Sequence, residues 1–260
     1  MGASTRTSFE ALASPDHLAR LRAADALALA LESLPPDDRL TLWAEGLADP
    51  RPNVAPELAR LAQRLGAREA APSLRAALER KKASPKLHKA ALGALGWVGD
   101  QTDAPTLARF VRGGEAMMRR VAVEALGRVG GQGACEALWA GLQDEAWEVR
   151  AEAALGLGAL PSACGARSLE AVKRALATEP EPFVRERLLR AIPELGDPAR
   201  GAALLLGVPL DGDWRALRAA ARGLGELRAA QAQAWLRGLL DHPCYDVAEQ
   251  ASWALGRLEP

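Results

Sequence analysis

The sequence predicts an all-α protein, a right-handed solenoid of about seven or eight stacked helix-turn-helix repeats. One motif returns seven times along the 260 residues, and a shorter apolar-periodic stretch follows most copies. Successive copies begin 33, 31, 31, 35, 32 and 31 residues apart. A near-constant period of this length is typical of helical-repeat proteins, in which each hairpin buries its apolar faces against its neighbours.

The recurring motif predicts the second helix of each hairpin. If its first residue is counted as position 0, positions 4, 8 and 11 are also apolar in almost every copy, and these positions share one face of an α-helix. Position 7 is mostly Ala or Gly, which lets a neighbouring helix come close. The first residues of the seven copies are Val54, Leu87, Met118, Val149, Val184, Ala216 and Val247.

The stretches between the motifs predict the first helix of each hairpin, because they are apolar-periodic and end in turn-forming residues. Pro193 falls inside the motif that begins at Val184 and predicts a local bend there. The glycines of the Leu-Gly pairs near the motif ends are interpreted as helix caps with positive φ. The predicted first helices lie within residues 104–111, 135–142, 169–176, 202–206 and 232–240.

The motif resembles the HEAT repeat, specifically the short class that is also found in bilin lyase subunits. The resemblance covers roughly residue 16 to the C-terminus, and its family includes scaffolds, chromophore-attaching enzymes and DNA-repair enzymes. We therefore expect a flexible segment at 1–14 and a single repeat domain at 15–260, with a degenerate capping repeat at 15–48. The residues that carry the resemblance are Met118-Arg119, Val149-Arg150 and Val184-Arg185, with the closings ALGWVG at 94–99 and ALGRVG at 125–130.

Arginine at position 1 of the motif is expected to pair with acidic residues in the turns, because such partly buried pairing satisfies both charges. The acidic residues lie five places before four of the motif starts. The expected arginines are Arg22, Arg119, Arg150 and Arg185, and the acidic residues are Asp49, Asp144, Glu179 and Asp211.

Composition excludes several classes of protein. The 33 basic and 33 acidic side chains balance, so no overall field attracts nucleic acid or an anionic membrane. The N-terminus lacks the apolar core of a signal peptide, and no apolar run has the length of a membrane span. Cys135, Cys164 and Cys244 are interpreted as three reduced thiols. We expect a cytoplasmic monomer that binds neither nucleic acid nor membrane.

No catalytic constellation is recognised in the sequence, and the protein is predicted not to be an enzyme. None of His17, His88 and His242 is followed by Glu, as helical-repeat oxygenases with two irons would require. Neither a Gly-x-Ser-x-Gly elbow nor a phosphate-binding loop of the Walker type occurs. No catalytic residue, cofactor or metal ligand is predicted.

Positions 3, 6 and 10 of the motif lie opposite the core stripe, since each residue of an α-helix turns by about 100°. The resemblance implies that they line a concave inner wall, where an apolar centre with arginine flanks is typical of a protein-binding surface. The sequence leaves open whether Trp97 and Trp253 are exposed or core. The predicted partner-binding residues are Arg60, Arg64, Trp97, Val121, Glu124, Arg128, Leu155, Arg187, Arg190, Arg222 and Trp253.

Three functions are compatible with this sequence. The first is a non-catalytic scaffold that binds a protein or peptide on the concave face. The second is a subunit of the bilin lyase or isomerase type, acting on a tetrapyrrole chromophore. The third is a DNA-binding repair protein, which the glutamates along the predicted face disfavour because they repel phosphate. A basic cluster at Arg80, Lys81, Lys82, Lys86 and Lys89 is interpreted as a solvated turn, with docking of an acidic partner as the alternative.

Overall fold

The computed structural model describes residues 3–258, and every regular element within them is helical. Sixteen α-helices in this part of the chain form eight hairpins in chain order, as the predicted all-α solenoid requires. The hairpins fall into two compact units of four, Met1–Val129 and Gly130–Pro260. The prediction of a single domain over 15–260 stays a prediction.

The first helix of each hairpin is called an A helix and the second a B helix. All seven copies of the motif begin in B helices, which confirms the predicted placement. The A helices are α1 (Ala3–Ala11), α3 (Pro36–Ala48), α5 (Ala71–Glu79), α7 (Ala104–Ala108), α9 (Gln132–Gly141), α11 (Pro161–Thr178), α13 (Pro198–Leu206) and α15 (Gln233–Arg237). The B helices are α2 (His17–Ser33), α4 (Val54–Leu65), α6 (Pro85–Val98), α8 (Ala116–Val129), α10 (Trp147–Ala159), α12 (Pro182–Ala191), α14 (Trp214–Glu226) and α16 (Tyr245–Leu258).

The flexibility expected of residues 1–14 stays a prediction, but this part of the chain is largely helical where the structure describes it. It contains α1, and Leu12 directly after this helix is completely buried. The side chain of Asp16 then caps α2 by accepting from the backbone N–H groups of Leu18 and Ala19. The first hairpin therefore has an A helix and a capped B helix.

The register of the first B helix is set by Arg20 and not by Arg22, which is exposed. Arg20 Nη1 donates to the carbonyls five and six residues before it, at 2.8 and 2.9 Å. Arg150 makes the same two backbone contacts at 3.0 and 2.9 Å. Position 1 of the degenerate repeat is thus Arg20, so the predicted role of Arg22 is wrong.

Consecutive B helices approach closely where position 9 of one repeat meets position 7 of the next. A Cβ atom built on Gly96 would lie 2.7 Å from the Cα of Ala125, and one on Gly225 would lie 2.9 Å from the Cα of Ala254. Gly96 and Gly225 lie inside helices, so the interpretation as positive-φ caps is wrong for them, whereas it is confirmed for Gly66, the left-handed C-cap of α4. The role of Gly96 and Gly225 is to remove a side chain where two backbones pack together.

Pro193 ends a helix instead of bending it. Helix α12 stops at Ala191, and a 3-10 turn, Ile192–Glu194, continues the chain. Since proline has no backbone N–H and its ring clashes with the preceding turn, the α-helix cannot extend through this position.

Two of the three cysteines form a disulfide. Cys135 in α9 is bonded to Cys164 in α11, with their Cα atoms 5.3 Å apart, so the prediction of three reduced thiols is wrong for this pair. Cys244 has a free thiol. The bond ties together the A helices of two consecutive repeats in the second unit.

Ion pairs also join consecutive repeats. Arg150 Nε and Nη2 donate to the carboxylate of Glu179 at 2.7 Å each, and Arg75 pairs with the completely buried Asp103. The acidic partner of Arg150 is therefore the one in the following turn. Asp144, in the preceding turn, accepts instead from the backbone N–H of Ala146 at 2.9 Å.

Candidate functional site

Positions 3, 6 and 10 of the B helices form one continuous face within each unit, which we call the B-helix face. The structure places most of the predicted partner-binding residues at its surface. Trp97 is 55% exposed, Leu155 47% and Trp253 43%, which answers the question that the sequence left open. Arg60, Arg64, Arg128, Arg190 and Arg222 are exposed, whereas Glu124 and Arg187 are half-buried.

Val121 is the exception. It is 7% exposed, although its position on α8 predicted an exposed side chain. The neighbouring helix α6 has Gly93 at the matching level, and a Cβ atom on Gly93 would lie 4.0 Å from Cγ1 of Val121. Val121 therefore occupies the space that Gly93, which has no side chain, leaves open. It belongs to the buried layer beneath the B-helix face and not to its exposed surface.

The first unit carries a groove on this face, with a volume of about 600 Å³. We call it the first-unit groove. It runs across the B helices α4, α6 and α8. Its floor contains Ala90, Gly93, Met118 and Val121, and its polar rim contains Arg60, Gln63, Lys86, Lys89, Glu115, Glu124 and Arg128.

The aromatic edge of this region is a stacked pair. The guanidinium of Arg128 on α8 lies over the indole of Trp97 on α6, 4.4 Å from the ring centroid. Arg128 Nη2 also contacts a carboxylate oxygen of Glu124 at 2.8 Å. The cation–π contact and the ion pair together fix the ring and leave more than half of the indole exposed.

The cations of the rim differ in how they are held. Arg60 pairs with Glu57 at 2.9 Å, and Lys86 Nζ donates to Asn53 Oδ1 at 2.7 Å. Burial, together with the positive charge of Arg60, lowers the pKa of Lys86 below its usual value. Lys89 is exposed and forms no ion pair within the described residues. Lys86 and Lys89 are therefore the groove cations that a carboxylate could reach most directly.

The structure divides the basic cluster that the sequence indicated. Arg80 Nη1 donates to the carbonyl of Leu47 at 3.1 Å and is anchored to the fold. Lys81 and Lys82 lie exposed in the turn after α5, whereas Lys86 and Lys89 line the first-unit groove. The cluster is thus not one patch, and only its last two lysines belong to the B-helix face.

The B-helix face of the second unit carries a smaller depression. A depression of about 270 Å³ lies between α10 and α12 and is lined by Leu155, Gly158, Arg187 and Arg190, among others. Arg222 pairs with Glu226 at 2.7 Å, and Arg64 in the first unit pairs with Asp25 at 2.8 Å. Most of the predicted arginines are therefore exposed, but several of them are already ion-paired.

Sequence reasoning missed a second set of surface residues. Trp147, Phe183, Trp214 and Tyr245 lie one or two residues before the motif start in four successive B helices of the second unit. The sequence signal for them was an aromatic residue that recurs just before the motif.

No group of three or more His, Cys, Asp or Glu side chains within the described residues is arranged to hold a metal ion. Among the same residues, the helices are too short or too polar to cross a bilayer.

Eight helical hairpins, four in each of the two units, define this protein as an α-helical repeat protein. Two stretches, 40–116 and 109–193, match the family model of HEAT repeats, and together they span more than half of the chain. The chain therefore belongs to the HEAT-repeat family. No curated protein sequence matches it significantly.

Solved structures agree on the fold. YibA of Escherichia coli is 14% identical, with a TM-score of 0.63 over 99% of this chain and 92% of that one. A chain of the complex of CpcE and CpcF of phycocyanin lyase from Nostoc sp. PCC7120 is 20% identical, with a TM-score of 0.50 over 85% and 94%. A chain of the structure of Kap95p with RanGDP is 14% identical, with a TM-score of 0.54 over 98% of this chain and 44% of that one. These similarities show an all-α solenoid.

Proposed function

We propose that the protein is a non-catalytic scaffold that binds a segment of a partner protein on its B-helix face, with the first-unit groove as the main contact. The observation that carries the proposal is the groove itself. Its apolar floor is bordered by an exposed tryptophan that Arg128 holds in place, and by two reachable lysines. Buried apolar centres with tryptophan and arginine anchors are the usual energetic hot spots of protein interfaces.

Charge indicates which partner segment the groove accepts. Glu57 forms an ion pair with Arg60, and Glu124 forms one with Arg128. These carboxylates are therefore neutralised by neighbouring arginines and do not repel an acidic partner. Lys86 and Lys89 remain to attract acidic side chains. We propose an apolar segment that carries carboxylates as the partner, bound by a monomeric scaffold.

The experiment that tests this proposal is capture of partners from the native host followed by affinity measurement with the purified partner. Trp97→Ala and Lys89→Glu are each expected to weaken binding by about tenfold or more, because each removes more than about 1.4 kcal/mol of contact energy at a hot spot. Lys173→Glu changes the same charge on the exposed surface of α11 and Leu29→Ala removes an exposed apolar side chain of α2, so both should bind as the wild type does. Equal binding by all four variants would refute the groove as the contact.

A second candidate function is the bilin lyase type. The feature that favours it is the same groove, because its volume of about 600 Å³ and its lysine pair suit an open-chain tetrapyrrole with carboxylate side chains. Mixing the protein with such a tetrapyrrole and recording the visible spectrum separates the two functions. A spectral change that Lys86→Ala and Lys89→Ala abolish would favour the enzyme subunit over the scaffold.

A further inference from the structure

The depression of about 270 Å³ between α10 and α12, which we call the second-unit depression, has an apolar floor. Ala154, Leu155 and Ala159 of α10 and Ala191 of α12 form this floor, and Leu155 is 47% exposed. The two helices are close beneath it, since a Cβ atom built on Gly158 would lie 3.2 Å from that of Ala191. Sites for drug-sized ligands have volumes of about 300–1,000 Å³, so this depression suits one large side chain better than a whole ligand of that size.

Two arginines of α12 line one side of the depression, about one helical turn apart. Within the described residues, Arg187 forms no ion pair. Arg190 lies 4.0 Å from Glu186, whose carboxylate already contacts Arg218 at 2.7 Å. The guanidinium of Arg187 lies 5.0 Å from the ring centroid of Phe183, which holds it in place. The depression therefore presents two positive groups that can donate charge-assisted hydrogen bonds to a carboxylate.

A pair of aromatic rings closes the depression at the end next to Arg187. Phe183 lies one turn before Arg187 on α12, and its ring meets that of Trp147 on α10 edge to face, with the centroids 5.8 Å apart. Because the two rings bridge the two helices, an extended chain that lies between the helices cannot continue past them. A carboxylate that reaches the arginines from the depression is therefore the end of a chain and not a side chain in the middle of a segment.

The opposite end of the depression carries the opposite charge. Glu194 follows α12, is exposed and forms no ion pair within the part of the chain that the structure describes. It lies seven residues after Arg187, which corresponds to about 10 Å along the helix axis. An extended peptide rises about 3.3 Å per residue, so the residue three places before its end would lie beside Glu194. A basic residue fits that place.

We infer that the second-unit depression binds the C-terminus of another protein that ends in a large aliphatic residue such as leucine. The terminal carboxylate pairs with Arg187 and Arg190, the last side chain packs on Leu155, and a basic residue three places earlier faces Glu194. Capture of a C-terminal carboxylate is one of the recurring modes of peptide recognition. This site gives the proposed scaffold a second contact, and it does not depend on the first-unit groove.

The test is calorimetric titration of the full chain with the peptide acetyl-Lys-Ala-Ala-Leu, whose C-terminal carboxylate is free. The peptide is expected to bind, and Arg190→Glu is expected to weaken it by about tenfold or more, because a repulsive charge replaces an attractive one. Arg237→Glu makes the same change on the exposed surface of α15 and should retain the wild-type affinity. Trp97→Ala should also retain it, so the outcome is separate from that of the first-unit groove.

Thermal denaturation of Arg190→Glu checks that the fold is intact, which its exposed side chain leads us to expect. Three changes in the peptide then test each contact. The C-terminal amide of the same peptide and a peptide extended by Gly-Gly should each bind at least about tenfold more weakly, because the first lacks the charge and the second does not end at the rings. A peptide that ends in glycine should also bind more weakly, because it leaves Leu155 uncovered.

Several outcomes would overturn the inference. The first is failure of the free acid to bind, and the second is equal binding by Arg190→Glu. Equal binding of the amide or of the extended peptide would show that no chain end is recognised. Equal affinity for free leucine would favour a small-molecule site, and loss of the peptide in Trp97→Ala would place it in the first-unit groove instead.

Discussion

Arg150 and Glu179 are joined by two parallel hydrogen bonds of 2.7 Å that link one repeat of the second unit to the next. The side chain of Glu179 is only 3% exposed, and that of Arg150 is 15% exposed. Arg150 also donates to the carbonyls of Asp144 and Glu145 in the turn before its own helix. One side chain therefore fastens two successive inter-helix turns.

Arg150→Ala should lower the free energy of unfolding by about 3–5 kcal/mol, since it leaves the carboxylate of Glu179 buried without its ion-pair partner. Urea denaturation measures the loss. Arg109 and Glu79 form an exposed pair, so Arg109→Ala should cost less than about 1 kcal/mol. Equal losses of unfolding free energy in the two variants would contradict the prediction that breaking the buried ion pair costs more than breaking the exposed one.

The same pair makes stability depend on pH. Burial by itself raises the pKa of Glu179, but hydrogen bonds from Arg150 and from the backbone N–H of Glu181 outweigh it, and the net pKa lies below the ordinary value of 4.5. The folded state therefore binds this proton less readily than the unfolded chain. The stabilisation is complete above pH 4.5 and disappears as the pH falls through the lowered pKa.

Urea denaturation at a series of pH values from 7 to 3 should show this effect. Glu179→Gln removes the titrating group, so its unfolding free energy should fall less steeply below about pH 4.5 than that of the wild type. Glu79→Gln, at the exposed pair, should follow the wild type. Parallel curves for the wild type and Glu179→Gln would show that the pair does not couple folding to protonation.

Gly225→Ala should destabilise the second unit by about 1–3 kcal/mol, because overpacking forces helices apart. The added Cβ atom would lie 2.7 Å from the indole of Trp253 and 2.9 Å from the Cα of Ala254. Gly256→Ala is the matched control, since a Cβ atom there meets nothing within 4 Å, and it should raise stability by up to about 1 kcal/mol. Thermal denaturation measures both effects. A rise in Tm for both variants would contradict the close approach of α14 and α16 at Gly225.

The disulfide between Cys135 and Cys164 should stabilise the second unit. It closes a loop with a sequence separation of 29 residues, and the corresponding loss of unfolded-state entropy is about 3–4 kcal/mol. Added reductant, or Cys135→Ser, should therefore lower the Tm. Cys244→Ser changes a free thiol and should leave the response to reductant as it is in the wild type. An unchanged Tm on reduction would contradict this prediction.

The period and position of the B helices could be predicted because local sequence specifies them. Apolar residues at helical spacing determine which face of each B helix is buried, and Leu58, Leu95 and Leu126 are indeed completely buried. The exposure of Trp97 and Leu155 follows from the same geometry. These features need only one helix to be considered at a time.

Features that depend on the neighbouring repeat were not predicted. Val121 is exposed on an isolated helix and is covered only because α6 has Gly93 opposite it. The pairing of Cys135 with Cys164 requires two A helices to be adjacent, and its only signal in the sequence is a separation close to one repeat. Arg20 was missed because the first repeat is degenerate and its register depends on contacts with the preceding turn.

The glycine at position 9 that meets the alanine at position 7 of the next B helix also limits how such a chain can change in length. Deleting one residue inside α14 would rotate everything after it by about 100° and carry Gly225 away from Ala254. Adding or losing a whole hairpin of 31–35 residues would preserve the match. Changes in the length of this protein are thus tolerated best when they add or remove complete repeats. A single-residue insertion in a B helix is more disruptive than duplication of an entire repeat.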